Sequence, residues 1–202
     1  MTLENMRSDE QEIDCRRLSI RKYKIMKPSI RYFSLLLIFV FASAANAQKV
    51  VENKDLPNFA EVNAKLFRGG QPTENGVKEL ARRGVKTIID LRGDDKNAQK
   101  EKVWASSAGI KFVTVNLSNW FKPNAADIEN IVKQIDAADN QPVFVHCKRG
   151  ADRTGTVVAV YRISHDNFTA KQANDEAKKF NFGWWQFLMK DYINDYYRDY
   201  KK

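Results

Sequence analysis

Cysteine is nearly absent from this 202-residue chain: Cys15 and Cys147 are the only two. A Cys-based metal centre cannot be assembled from them. Long apolar runs are missing as well. The longest, from Phe33 to Ala45, falls short of the roughly 20 residues that a bilayer-crossing helix needs. The formal net charge is +9, yet no run of Lys/Arg marks a nucleic-acid groove. Internal repeats, low-complexity tracts and a linker to a second domain are also lacking.

What the apolar run does have is the shape of an export signal. It ends in Ala45-Asn46-Ala47, a small-x-small pattern that predicts cleavage after Ala47. The stretch before it is long for such a signal. Reading from Met26 gives a short basic start, an apolar middle and a small-residue end, so the expected true start is Met26. Residues 1–47 are therefore set apart as a leader, and 48–202 are expected to form one domain. Cleavage leaves a secreted or periplasmic protein with no stable membrane span. Eight of the 34 Lys/Arg and five of the 25 Asp/Glu lie in the leader, leaving 26 against 20. That mild basic excess suits an anionic substrate. Cys15 goes with the leader, so Cys147 remains as a lone thiol. An intramolecular disulfide is then excluded, and a chemical role for Cys147 gains weight.

The rest of the chain alternates between strand and helix patterns. A polar lead-in covers 48–63. Leu66-Phe67-Arg68 reads as a short strand and Gly69-Gly70-Gln71-Pro72 as a turn. Thr73 is placed to cap a helix to about Arg83, with Gly84 as its stop. Strands are expected at Val85–Leu91, a β-branched apolar run, at Lys111–Leu117, which alternates, and at Pro142–His146, short and apolar. Helices are expected at Asp94–Ser107, from Asn124 or Asp127 through Ile135, and at Arg153–His165, with two more between Ala170 and Tyr200. The order predicts an α/β fold, a central mostly parallel sheet flanked by helices. The aromatic tail (Trp184, Trp185, Phe187, Tyr192, Tyr196, Tyr197) is expected to pack into the core.

One segment carries chemistry: His146-Cys147-Lys148-Arg149-Gly150-Ala151-Asp152-Arg153-Thr154-Gly155. It leaves a buried strand and opens a helix. Ligands of open α/β sheets bind outside the carboxyl ends of strands. A helix N-terminus offers unpaired N–H groups and a partial positive charge, which together favour phosphate. In that setting a thiol pKa falls from ~8.5 to roughly 3.5–7.5, and the thiolate is a nucleophile. Arg153, on the first helical turn, is placed to hold two phosphate oxygens as a bidentate clamp. Thr154 can give its hydroxyl to the sulfur. His146 is expected to point away from substrate and order the loop. Gly150 permits the tight curl, and Gly155 is expected to allow close helix–strand packing.

These ten residues resemble the signature of the protein tyrosine phosphatase superfamily: His-Cys, five residues, Arg, Ser or Thr, Gly. The wider chain, about 57–200, is similar to the small bacterial and fungal atypical dual-specificity phosphatases. Leu66-Phe67-Arg68-Gly69-Gly70-Gln71-Pro72 and Thr87-Ile88-Ile89-Asp90-Leu91-Arg92 carry the likeness upstream. The resemblance implies a cysteine-phosphatase fold and a two-step reaction: Cys147 attacks phosphorus, an acid protonates the leaving oxygen, and water cleaves the phosphocysteine. It implies substrate contacts from Lys148, Arg149, Gly150, Ala151, Thr154 and Gly155, and no metal or other cofactor. Phosphorylated protein, an inositol phosphate and a phospholipid headgroup all fit as substrates, handled by a monomer.

The acid is where the likeness thins. Relatives place an Asp on the loop after the strand that here is Phe112–Leu117. This chain reads Leu117-Ser118-Asn119-Trp120 there. Asp127 looks like a helix cap. Asp152 is the expected acid, because myotubularin-like and Sac-like phosphatases carry an Asp at that spot; the alternative is that the chain has no dedicated acid. Asp94 and Asp95 are further candidates. Arg68 and Arg92 are expected at the pocket rim or in salt bridges. Two other functions compete: a phosphate-binding pseudophosphatase module, and a rhodanese-type sulfurtransferase, whose Cys loops are shorter and lack Arg-Thr-Gly.

Overall fold

The computed structural model describes residues 53–202. The expected leader, the Met26 start, the cleavage point after Ala47 and Cys15 lie outside the described residues. A five-stranded sheet runs through the domain in the order β1-β2-β5-β3-β4. Its strands are β1 (Ala60–Asn63), β2 (Leu66–Gly70), β3 (Thr87–Asp90), β4 (Lys111–Thr114) and β5 (Val143–Cys147). β1 pairs antiparallel with β2, and the other pairings are parallel. The helices are α1 (Glu74–Arg82), α2 (Lys96–Ser107), α3 (Ala125–Asp136), α4 (Asp152–His165), α5 (Ala170–Lys179) and α6 (Phe187–Tyr200). This is the mostly parallel, helix-flanked α/β sheet that the alternating pattern predicts.

Every residue of β5 is buried. Side chains alternate across a strand, so its two sides meet different helices. Val143, Val145 and Cys147 join one core with Ile128 and Ile131 of α3, Val157 and Val160 of α4, and Tyr192 of α6. Phe144 joins the other core, with Val77 and Leu80 of α1 and Ala105 of α2. His146 shares that second face, and its ring stacks on Phe144 at 5.4 Å. The period-2 rule thus sends Cys147 and His146 to opposite sides of one strand.

Local signals account for most helix ends. Thr73 caps α1, its side chain accepting from the Gly76 N–H, and Gly84 follows with φ +79°. Asp95 caps α2, and Asn124, rather than Asp127, caps α3.

Three expectations need correcting. The polar lead-in contains β1, an edge strand too short to show period-2 alternation above its surroundings. Gly69 and Gly70 belong to β2 rather than to a turn: Gly70 pairs with Cys147 and brings a strand without side chains beside the signature loop. The aromatic tail splits. Tyr192 is core, but Trp184, Trp185 and Phe187 are exposed. They stand on and just before the first turn of α6, where the chain passes over the surface.

Candidate active site

β5 ends at Cys147 and α4 begins at Asp152, so 148–151 form the connecting loop at the carboxyl end of the central strand. Three successive carbonyls of this loop are tied to other segments. Lys148 O accepts from the Gln71 N–H at 3.2 Å. Arg149 O accepts from Asn58 Nδ2 at 3.2 Å, and Gly150 O from Arg68 Nη2 at 2.9 Å. In a trans peptide the C=O and the following N–H point in opposite directions. Holding these carbonyls outward turns the N–H groups of Arg149, Gly150 and Ala151 the other way. That is an anion cradle at the mouth of α4. Gly150, at φ +73°, makes the curl possible. A Cβ there would lie 2.5 Å from Gly69 O, so the close approach excludes any larger residue.

Cys147 sits buried at the base of the cradle. Burial alone would push its thiol pKa up. The hydroxyl and N–H of Thr154, the charge of Arg153 and the N–H of Gly150 outweigh burial, and the thiol is held below its ordinary value. The Thr154 hydroxyl also lies 3.5 Å from Gly69 O. Arg153 is steered by backbone: Nη1 donates to Leu91 O at 3.3 Å and to Leu117 O at 3.4 Å. Its Nε is buried with no partner among the described residues. A buried guanidinium nitrogen left without an acceptor suits an oxyanion that supplies one.

Behind the loop lies a buried ionic network. His146 Nε2 is 2.8 Å from Glu101 Oε1 of α2, and its Nδ1 is 3.2 Å from Cys147 O. Burial opposes charge on His146, but the Glu101 carboxylate, with help from Asp90, overcomes it and raises the imidazole pKa. Arg92 Nη2 completes the set, 2.7 Å from Asp90 Oδ2 and 2.9 Å from Glu101 Oε2. Arg92 is therefore salt-bridged inside the protein rather than at a rim. Asp90, Glu101 and His146 bring potential metal-ligand atoms within 4.8 Å of one another. The Arg92 guanidinium already sits between the two carboxylates, which makes this an ion-pair network rather than a cation site.

Arg68 is fully buried and spreads over the Phe180 ring, with its guanidinium carbon 3.7 Å from the ring centre. Burial lowers its pKa to about 10, against the favourable charges of Glu176 and Cys147. It braces the loop from beneath instead of lining a rim. Nothing in the Arg68 spacing announces this, because its partner is a main-chain carbonyl 82 positions away. Asn58, at φ +53°, is likewise silent in the sequence.

The expected acid meets a different geometry. Asp152 is buried, with Oδ1 accepting from the Gly183 N–H at 2.7 Å and Oδ2 from Arg149 Nη2 at 2.5 Å. Both oxygens act as acceptors, which ties the loop to the segment before α6. Asp95 is held below the usual carboxylate range, first by the Ala98 N–H and then, against a little burial, by Arg92, the Asn97 N–H and Arg153. A carboxyl held ionised is a poor proton donor. Lys148 and Arg149 are exposed, and Ala151 is buried at the helix mouth. Gly155 faces the Phe182 ring and Ala177, not a strand: a Cβ there would lie 2.7 Å from Phe182 Cδ2.

The family model described as a DSP-PTPase phosphatase fused to NAD+ kinase matches residues 41–189. The chain belongs to this family. Among curated relatives, the dual specificity protein phosphatase TpbA of Pseudomonas aeruginosa is 28% identical over 127 residues, 62% of this chain and 56% of that protein. The inositol diphosphatase DSP2 of Oryza sativa is 33% identical over 109 residues, 52% of this chain and 53% of that protein. The chain thus spans little more than half the length of these relatives. The fold matches the crystal structure of TpbA with a TM-score of 0.63 at 22% identity, covering 78% of this chain and 99% of that one. It matches the catalytic core of the PP-IP phosphatase SIW14 of S. cerevisiae with a TM-score of 0.65 at 23% identity, covering 76% and 91%.

Proposed function

We propose that this chain hydrolyses phosphomonoesters through a phosphocysteine. The observation that carries the reading is the loop between β5 and α4, where a thiol of lowered pKa lies under a cradle of N–H groups beside Arg153. The thiolate attacks phosphorus as the bond to the leaving oxygen breaks, and the phosphoryl oxygens are received by the cradle and the Arg153 fork. Water then attacks the phosphocysteine and releases phosphate, and Thr154 stabilises the sulfur as it leaves as thiolate. Cys147 and Arg153 are the catalytic residues in this reading. The backbone of 148–151 and Thr154 bind the phosphoryl group, and Asn58, Arg68 and His146 position the loop.

Substrates of two kinds are proposed, a phosphorylated protein and an inositol phosphate or phospholipid headgroup. TpbA has been solved with pTyr, and SIW14 is called a PP-IP phosphatase. With Asp152 and Asp95 both engaged as acceptors, leaving groups that need no proton are favoured, such as an aryl oxide or a phosphate. The apolar run before Ala47 supports export to an extracytoplasmic compartment. Among the described residues, no helix is long and apolar enough to cross a membrane.

The test is para-nitrophenyl phosphate hydrolysis by the full chain with EDTA present, beside Cys147→Ser. Vanadate-sensitive turnover that disappears in the mutant supports the reading. Vanadate binding by a folded protein without turnover would instead make it a phosphate-binding module.

A further inference from the structure

Two loops bordering the signature loop expose large apolar side chains. Trp120 is 74% exposed and Phe121 71% in the loop after β4. Trp184 is 73% exposed, Phe187 60% and Leu188 45% at the start of α6. The loops are neighbours: Gln186 Nε2 donates to Asn119 O at 3.2 Å, and Lys122 pairs with Asp195 of α6 at 2.5 Å. Both reach the site. Gly183 N–H holds Asp152, the Arg149 guanidinium lies 5.9 Å from the Trp185 ring, and Leu117 O accepts from Arg153. The hydrophobic side chains therefore form one patch beside the phosphate cradle, rather than scattered exposed residues.

Basic side chains surround this patch. Lys122 follows Phe121 directly, and Lys190 lies 5.8 Å from the Phe187 ring centre with its ammonium on Trp184 O at 2.9 Å. Arg149 borders it on the loop side, through its guanidinium near Trp185. Contiguous exposed apolar surface marks an interaction site. Protein interfaces are depleted in Lys, whereas Trp, Phe and Leu ringed by Lys/Arg are what the boundary of an anionic bilayer selects. We propose that this patch seats the protein on an anionic membrane surface, the two loop tips entering the headgroup–acyl boundary with the cradle facing the lipid. The docking goes beyond the phosphatase reading and does not depend on turnover.

The test uses the full chain with vesicles of phosphatidylglycerol carrying brominated acyl chains, and the same in phosphatidylcholine. Bromine quenches only indole rings that reach the acyl region. Trp120 and Trp184 are the reporters, so the comparison variant is Phe121→Ser/Phe187→Ser/Leu188→Ser, which leaves all four tryptophans in place. The expected result is quenching of wild type and Cys147→Ser on phosphatidylglycerol, at least threefold weaker on phosphatidylcholine, and at least threefold weaker in the triple variant. Unchanged para-nitrophenyl phosphate hydrolysis shows the triple variant folded, and Phe121→Ser alone gives a milder version of the same loss. Equal quenching of wild type, the triple variant and Phe121→Ser overturns the proposal, because contact with the acyl region then does not depend on this patch. Absence of quenching on phosphatidylglycerol overturns it too, and assigns the patch to a protein partner. Quenching by Cys147→Ser separates this outcome from any failure of the phosphatase reading.

Discussion

Arg68 Nη2 donates to the carbonyl of Gly150 at 2.9 Å, from a position on β2 with no exposure to solvent. This bond links the strand beside β5 to the one residue of the signature loop at positive φ. A hydrogen bond from a charged donor contributes about 1.5–3 kcal/mol. Arg68→Met keeps most of the stacking on Phe180 and removes the brace. The expected loss in kcat/KM is about 10- to 150-fold, with vanadate affinity falling in parallel. Undiminished vanadate binding by Arg68→Met would show that the loop holds its shape without it.

Thr154 supplies the two largest favourable contributions to the lowered thiol pKa, through hydroxyl and N–H. Thr154→Val removes only the hydroxyl. Less of the thiol is then ionised at a given pH. The acidic limb of the iodoacetate alkylation rate, which tracks thiolate, therefore shifts to higher pH in the mutant. In wild type that limb lies below that of an ordinary thiol. Coincident limbs for the two proteins would remove Thr154 from the activation of Cys147.

The His146–Glu101 pair sets a sign for stability against pH. The folded-state pKa of His146 is raised. Its contribution is fully present below the unfolded value of ~6.5 and is lost as pH rises through the raised folded value. Glu101→Gln abolishes the charge that raises it and leaves Arg92 with one carboxylate. At pH 6 the mutant is expected to be about 3 kcal/mol less stable in urea titrations. The gap narrows toward pH 9. A constant gap across that range would mean that His146 is not charged in the fold.

Much of this arrangement was legible in the sequence because it is local. The run from His146 to Gly155 names its own candidate nucleophile and clamp and its turn, and the succession of β5 and α4 places them at one loop. The braces were not legible, since each one joins distant segments: Asn58 to Arg149, Arg68 to Gly150, Glu101 to His146. Spacing carries no record of such contacts. The exposed aromatics misled for a related reason. Composition predicts burial of Trp and Phe, but a loop without helical or strand period says nothing about which way they face.

Asp152 separates two ways of running the reaction. As a general acid it would protonate a poor leaving group, and Asp152→Asn would slow alkyl phosphates by roughly 10²–10⁴ while sparing aryl ones. In the fold its oxygens receive Gly183 N–H and Arg149 instead. Asn keeps one oxygen to accept from Gly183 and loses the charge that holds Arg149. The expected outcome is a similar decrease, about tenfold, for para-nitrophenyl and for alkyl phosphates, on top of a wild-type rate that already falls steeply as the leaving group becomes more basic. A selective collapse on alkyl phosphates would give Asp152 the proton after all, and would require Arg149 to swing away from it during turnover.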